Sequence, residues 1–323
     1  MLASDSAVVW RFLDGRTGHE NQVLALSESL QRRRNCHFFD IPVTFDSRMP
    51  WQIVPRLISK CRSLPKPQLC IGAGHRTHLP MLIARHQFGG KIVVLMRPSL
   101  PCHLFDACLI PQHDHIWLPH AGVLQTIGVL NRVRPTGTLC HKTGLILIGG
   151  HSRHFLWNSQ TVAHHVHQLL TATAISWTIA ASRRTPEDFL QQLQKHPLAA
   201  SIIPKVLPAA ELLTRMNYAG HIAVTCDSMS MISESLSSGA AVTLIRLPLK
   251  RSGRFSRELC RLIRSGRFTT DHDAPNVAAA SQSTFITESD RCAAFLEQHL
   301  LPRTFPEIMP FTEQSQVLSG APA

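Results

Sequence analysis

Aromatic side chains are scarce in this chain of 323 residues, 6% of the total with a single tyrosine. No helix-turn-helix, zinc-finger or aromatic RNA-binding pattern accompanies its basic residues, which makes nucleic acid the weakest of the candidate partners. Acidic residues are the minority charge, 21 against 33 Lys and Arg, and the formal charge is +12 with the 19 histidines neutral. Such a molecule attracts anions such as nucleoside diphosphates or acidic lipid headgroups, and charge alone does not choose among them. The nine cysteines, spread from Cys36 to Cys292, form no CxxC pair and no evenly spaced framework. That pattern fits reduced thiols in a cytosolic compartment and argues against a zinc ribbon. Long apolar runs are also missing: the nearest, Leu169 to Ala181, carries three threonines and a serine and falls short of the ~18 residues a spanning helix needs. The opening segment has no basic stretch ahead of an apolar one, and Arg11 and Asp14 interrupt its hydrophobic run, so no signal peptide is expected. These absences predict a cytoplasmic protein whose membrane contact, if any, is peripheral.

Apolar residues make up 44% of the sequence and charged residues 17%, ordinary globular values. The length suits two domains of roughly 140 to 160 residues. Short β-branched runs alternate with helical segments, the pattern of α/β domains with parallel sheets. Strands are expected at Ala7 to Phe12, Cys36 to Ile41, Gln68 to Ile71, Lys91 to Met96 and Asp106 to Ile110. A second series runs through Leu145 to Ile148, Ile175 to Ala180, Ile222 to Thr225 and Ala241 to Ile245. In the first helix Val23, Leu26 and Leu30 form one core-facing stripe. Pro135 and Gly137 interrupt the pattern within Asn131 to Thr143, which places the boundary near residue 140. The expected division is 1–140, then 141–311 including a last helix at Arg291 to Leu300, then a polar tail, 312–323.

In open parallel sheets ligands bind beyond the carboxyl ends of the strands. The first such loop, Asp14-Gly15-Arg16-Thr17-Gly18-His19-Glu20-Asn21-Gln22, enters the first helix. Its glycines permit close backbone approach, the helix amides offer an anion site, and His19 stands where an imidazole can take a proton from a hydroxyl. A turn or capping histidine is the plainer reading. The second loop, Gly72-Ala73-Gly74-His75-Arg76, either lines the same cleft or lets strand and helix pack closely. The third, Gly149-Gly150-His151-Ser152-Arg153, combines exposed amides, a hydroxyl and a fixed charge suited to a diphosphate. Ser182-Arg183-Arg184-Thr185-Pro186 follows another strand, its arginines ligands or merely solvated.

The stretch Val224 to Glu234 runs from strand to helix without a glycine. At about 100° per residue, Asp227, Ser230 and Glu234 share one side and Met229, Ile232 and Leu236 the other. The polar side suits a ribose, with Glu234 the candidate acceptor for its hydroxyls. Against this stands a helix cap at Asp227 or Ser228 with a solvated Glu234.

These segments resemble the mitochondrial-fission ELM family. The match rests on DGRTGHENQ at Asp14 to Gln22, GAGHRT at Gly72 to Thr77, PQHD at Pro111 to Asp114, IGVLNRV at Ile127 to Val133, LIGG at Leu147 to Gly150, SRRTP at Ser182 to Pro186 and VTCDSMSMISES at Val224 to Ser235. The resemblance implies a glycosyltransferase-B-like fold, two Rossmann-like domains with parallel sheets facing across a cleft, with the nucleotide sugar on the second domain. It implies a glycosyltransferase using a nucleoside-diphosphate sugar, acting on a cell-envelope or lipid-linked acceptor at the membrane's cytoplasmic face. The alternatives are a sugar-nucleotide epimerase on the same fold and a non-catalytic adaptor in membrane or organelle division. The TGH of the first loop is also similar to the glycine-histidine loop of the peptidoglycan N-acetylglucosaminyltransferase. The catalytic candidates are therefore His19 and Asp14, the acceptor-side candidates Gly15, Gly18, Gly74 and His75. The donor-side candidates are Gly149, Gly150, Ser152, Arg153, Arg183, Asp227, Ser228, Ser230 and Glu234. Where the family carries Asn-Pro-Tyr, this chain has Met216-Asn217-Tyr218.

No cofactor beyond the donor is expected, and no metal. His113-Asp114-His115 and His164-His165-x-His167 lack a clear set of further ligands, and the lone DxD, Asp271-His272-Asp273, lies far from the donor loops. Arg254, Arg257, Arg261 and Arg264 share one helical face, with Phe255, Leu259 and Leu262 on another. Such a helix either meets anionic headgroups or a lipid diphosphate, or packs on its own domain with its arginines in water.

Overall fold

The computed structural model describes residues 6–43, 53–114, 122–135, 139–172, 174–195, 206–270 and 287–301. The first sheet is parallel throughout, with strands β1 (Ala7–Leu13), β2 (Cys36–Pro42), β3 (Leu69–Ala73), β4 (Lys91–Leu95), β5 (Ala107–Pro111) and β6 (Val123–Thr126) in the spatial order β2-β1-β3-β4-β5-β6. Its strands alternate two buried faces, because successive side chains point to opposite sides. Val9, Leu69, Ile71, Val93 and Leu95 pack beneath α1 (Thr17–Arg33). Trp10, Phe12, Cys70, Ile92 and Val94 pack with Leu57 of α2 (Ile53–Cys61) and Met81 and Ala84 of α3 (His75–Phe88).

The second sheet, also parallel, orders its strands β11-β10-β9-β7-β8. They are β7 (Cys140–Ile148), β8 (Ser176–Ala181), β9 (Ala219–Thr225), β10 (Ala241–Ile245) and β11 (Thr269–Thr270). Around them lie α4 (Ser159–Ala172), α5 (Glu187–Gln194), α6 (Ala209–Tyr218), α7 (Met229–Ser237) and α8 (Arg254–Arg264). Strands expected from hydrophobic patterning agree with those observed to within one or two residues, apart from β7 and β9. β7 begins five residues before its apolar run, with the polar Cys140-His141-Lys142-Thr143-Gly144 already extended, and β9 also starts earlier, at Ala219. β6 and β11 escaped the pattern because they are short, β6 being half polar and β11 only two threonines.

The last described helix, α9 (Glu288–His299), departs from the linear division that grouped it with the second domain. Its Cys292, Ala293 and Leu296 join Val23, Leu26 and Leu30 of α1 in one buried cluster. Arg32 pairs with Asp290 at 2.6 Å and Arg33 with Glu297 at 2.8 Å. The physical reason is that α1 presents a wider apolar face than the first sheet alone covers. The expected tail, 312–323, lies outside the described residues.

Segment 127–133 joins the two halves. Leu130 is buried in the first core and Val133 in the second. The Asn131 side-chain amide donates to Ser237 Oγ of α7 at 3.0 Å, the Asn131 carbonyl accepts from Ser289 of α9 at 2.8 Å, and the Ile127 amide donates to Glu288 at 3.1 Å. Gly128 has φ +71°, and a Cβ there would strike Ser233 of α7. The IGVLNRV motif is thus a spine that fixes α7 against the first domain.

Candidate functional site

The first loop is folded around Asp14, whose side chain is 0% exposed. One carboxylate oxygen accepts the Arg16 amide at 3.1 Å; the other lies 2.8 Å from His19 Nδ1. A carboxylate has no hydrogen to give, so Nδ1 carries the proton and Nε2 is left as the basic nitrogen. Gly74, at the end of β3, is positioned by the same contact: its φ is +84°, and a Cβ would run into the His19 ring and stand 3.1 Å from Asp14. Both glycine loops therefore meet at His19. Around it lies an opening of about 350 Å³, walled by Arg16, His75, Met96, Arg97, Asp114 and Arg254 among others. Arg254 comes from the second domain and stands 3.7 Å from Asp114. Gly15 has φ +79° and takes part through its amide, which donates to Glu20 at 3.0 Å. Gly18 faces the other side of the helix.

The second-domain loops depart from the sequence expectation. Gly149 and Gly150 do not offer amides to a ligand: Gly149 N–H donates to Thr225 Oγ1 at 2.8 Å and Gly150 N–H to Asp227 at 3.1 Å, and both glycines are buried. Their lack of side chains serves packing, since a methyl on Gly149 would overlap Asp227 and one on Gly150 the Arg184 carbonyl. The Gly149 carbonyl accepts from Ser182 and Thr185, which binds the SRRTP turn to this loop. Asp227 is likewise no ligand contact. Its carboxylate, 0% exposed, accepts from Thr225 at 2.7 Å and pairs with Arg184 at 3.0 Å. The Ser152 hydroxyl oxygen accepts the amides of His154 and Phe155, which leaves its hydrogen to donate. Sequence reasoning passed over Thr225 and weighed Arg184 only as a ligand or a solvated side chain; both carry this network. Arg153 and Arg183 are exposed.

A separate cleft of about 210 Å³ lies between the domains. Gly18, Asn21 and Gln22 of α1 form one wall, at helical spacing i, i+3 and i+4, and Ser230 and Glu234 of α7 form another. Leu212, Leu213 and Met216 of α6 give it an apolar side, in the region where the chain lacks the family's Asn-Pro-Tyr. Burial pushes the Glu234 carboxyl up from the ordinary carboxylate range to about 7. Ser228 is the N-cap residue of α7 and makes no side-chain cap bond, so its hydroxyl and the first-turn amides are uncommitted. Ile232 and Leu236 face the core, as the helical periodicity requires.

The apolar side of α8 packs on its own domain, with Leu259 and Leu262 buried and Phe255 stacked 5.2 Å from His154. Arg254, Arg257, Arg261 and Arg264 are exposed. Among the described residues no group of three metal-ligating side chains is assembled and no helix is long and apolar enough to cross a membrane. Asp271, His272 and Asp273 lie outside the described residues.

Two parallel-sheet domains with a cleft between them define a glycosyltransferase-B-like fold. The fold is similar to that of a putative UDP-N-acetylglucosamine 2-epimerase from Listeria monocytogenes, with a TM-score of 0.57 at 11% identity, covering 92% of this chain and 98% of that one. It is also similar to S. aureus MnaA in a structure with UDP, with a TM-score of 0.53 at 14% identity and coverage of 91% and 97%. In sequence, RP120 of Rickettsia prowazekii, an uncharacterized protein, is 23% identical over 298 residues, 74% of this chain and 83% of its own length. The Mitochondrial fission ELM1 family matches residues 17–300, and the chain belongs to that family.

Proposed function

We propose that this protein is a sugar-nucleotide enzyme, a glycosyltransferase that holds a nucleoside-diphosphate sugar in the interdomain cleft and uses His19 as general base. The observation that carries this reading is the Asp14–His19 pair: a buried carboxylate 2.8 Å from Nδ1 of a histidine whose ring borders an open cavity. In the proposed reaction an acceptor hydroxyl gives its proton to His19 Nε2 as its oxygen attacks the sugar carbon, and Asp14 steadies the imidazolium that results. The bond from that carbon to the diphosphate breaks, and the leaving diphosphate takes the electron pair. With Gly149, Gly150 and Asp227 committed elsewhere, the developing charge falls to the first-turn amides of α7, the hydroxyls of Ser228 and Ser230, and the exposed Arg153 and Arg183. Glu234 accepts from the ribose hydroxyls and the apolar side of α6 takes the base. The exposed arginine face of α8, Arg254 to Arg264, fits an anionic membrane surface or a lipid-linked acceptor.

The test is a calorimetric titration with UDP, GDP, CMP and their common sugar conjugates, repeated on Glu234→Ala. Saturable binding that the substitution weakens supports the donor assignment and names the base. Absence of binding across the panel favours the adaptor reading associated with the family. The likeness to a putative UDP-N-acetylglucosamine 2-epimerase supports epimerase as a second reading. It predicts conversion of the nucleotide sugar with no acceptor present, which product analysis detects.

A further inference from the structure

We propose that the opening beside His19 seats a phosphate or diphosphate carried by the acceptor, gripped by Arg16, Arg97 and Arg254. The inference rests on the transferase reading and deepens it by naming the acceptor's chemistry. The three arginines come from three separate elements. Arg16 caps α1, Arg97 follows β4, and Arg254 opens α8 from across the cleft. One carboxylate opposes them in the wall, Asp114, and it stands 3.7 Å from Arg254. Arg16 and Arg97 have no ion pair among the described residues. Counting the buried Asp14 behind His19 with Asp114, three guanidinium groups against two carboxylates still leave a surplus of one positive charge around a cavity of about 350 Å³, within the size range of small-molecule sites. Convergent like charges repel each other until an anion joins them, and guanidinium groups approaching from several sides suit the many oxygens of a phosphate better than a lone carboxylate.

The backbone gives an independent sign. Met96 adopts φ +68°, a left-handed conformation that a residue with a Cβ adopts at a cost, and it is the one such non-glycine residue among those described. It turns the chain at the end of β4 and lays Met96 to Ser99 along the cavity wall. Strain of this kind persists where surrounding structure fixes a residue for use. The site lies on the opposite flank of the first turn of α1 from the donor cleft, and it shares His19 with the acceptor hydroxyl that must be deprotonated.

Inorganic pyrophosphate titrated into the wild type, Arg16→Gln and Arg97→Gln, with and without excess UDP, tests the assignment. The expected result is saturable binding that survives excess UDP and weakens by on the order of tenfold in each variant, while UDP binding to both variants stays as in the wild type. Pyrophosphate displaced by UDP and indifferent to the arginines would put the anion in the donor site and overturn the inference with the nucleotide reading intact. No pyrophosphate binding also overturns it, as does UDP binding that falls with the arginines. Arginine-dependent pyrophosphate binding with no UDP binding would instead remove the nucleotide reading and leave the anion site standing. A short-chain prenyl diphosphate compared with a soluble hexose phosphate on the same proteins separates the sources: tighter arginine-dependent binding of the first marks a lipid-linked acceptor, of the second a soluble one.

Discussion

Replacing Asp227 tests whether the most ligand-like stretch of the sequence binds a ligand or holds the second domain together. In Asp227→Ala the Gly150 amide loses its acceptor at 3.1 Å and the Thr225 hydroxyl loses its acceptor at 2.7 Å. Each is a hydrogen bond to a charged group, worth about 1.5–3 kcal/mol net. The Arg184 pair adds little, about 0–1 kcal/mol, because that side chain is 43% exposed and regains water. Removing a buried carboxylate also removes its own desolvation cost, which offsets part of the loss. The net expectation is a destabilisation of about 2–4 kcal/mol. At roughly 2–4 °C per kcal/mol for a domain of this size, Tm falls by roughly 5–15 °C in a thermal unfolding scan without ligand. Asp227→Asn keeps one carbonyl oxygen for Gly150 but must turn its NH2 toward Thr225, so it should fall between wild type and alanine, at about 1–2 kcal/mol. A Tm for Asp227→Ala within 1 °C of wild type, together with loss of nucleotide binding, would refute this reasoning and return Asp227 to the ligand.

Three further outcomes follow from the same geometry. His19→Ala should spare donor binding and cut transfer by ~10²–10⁴-fold; Asp14→Asn, whose amide oxygen stays with the Arg16 N–H and whose NH2 then faces Nδ1 and moves the ring proton onto Nε2, should cut kcat with little change in donor Kd, and intact transfer in His19→Ala sinks the base assignment. Because burial holds the Glu234 carboxyl at about 7, donor binding should strengthen as pH rises from 6 to 8 and the carboxylate becomes available to ribose. The stability linkage has the opposite sign: the folded state holds a proton that the unfolded chain has lost, so this group's contribution declines between the ordinary glutamate range and about 7, and Glu234→Gln should flatten both profiles. Gly150→Ala, whose methyl would overlap the Arg184 carbonyl, should cost about 1–3 kcal/mol or more in a urea unfolding titration, and an unchanged midpoint would show that the loop can relax.

The sheets were legible because buried parallel strands are continuous apolar runs, and Ile92 to Leu95 or Leu145 to Ile148 announce themselves in a way that Val123 to Thr126 does not. The loops were locatable for a topological reason: ligand-binding segments follow strands. That rule also points to Arg97, two residues beyond β4, which reasoning centred on glycine and histidine passed over. Patterning cannot say which way a polar group turns once folded. Asp227 and Glu234 share a helical side by angle, yet Asp227 sits before the helix begins, where the chain carries its carboxylate inward to Thr225 and the Gly150 amide. Paired glycines carry the same ambiguity, since an exposed amide and a tight packing contact call for the same residue. The return of α9 to α1 was beyond any local pattern, because a helix with one apolar stripe fits either sheet.

On the proposed transferase reading, the first turn of α1 sets where the chemistry would occur. Gly18, Asn21 and Gln22 face the interdomain cleft while Arg16 and His19 face the basic opening, so a donor on one flank and an acceptor on the other would meet at one helix end. The separation between His19 and the α7 residues Ser230 and Glu234 is governed by segment 127–133, which places Leu130 in one core and Val133 in the other and is tied to α7 through Asn131. A scaffold for protein recruitment has no use for this arrangement. It has still less use for a fully buried carboxylate at a half-buried histidine and a left-handed methionine in the wall beside it, both of which cost folding free energy, or for a left-handed glycine that makes room for the ring. Features that cost stability and gather around one imidazole are the physical ground for preferring chemistry to adaptation.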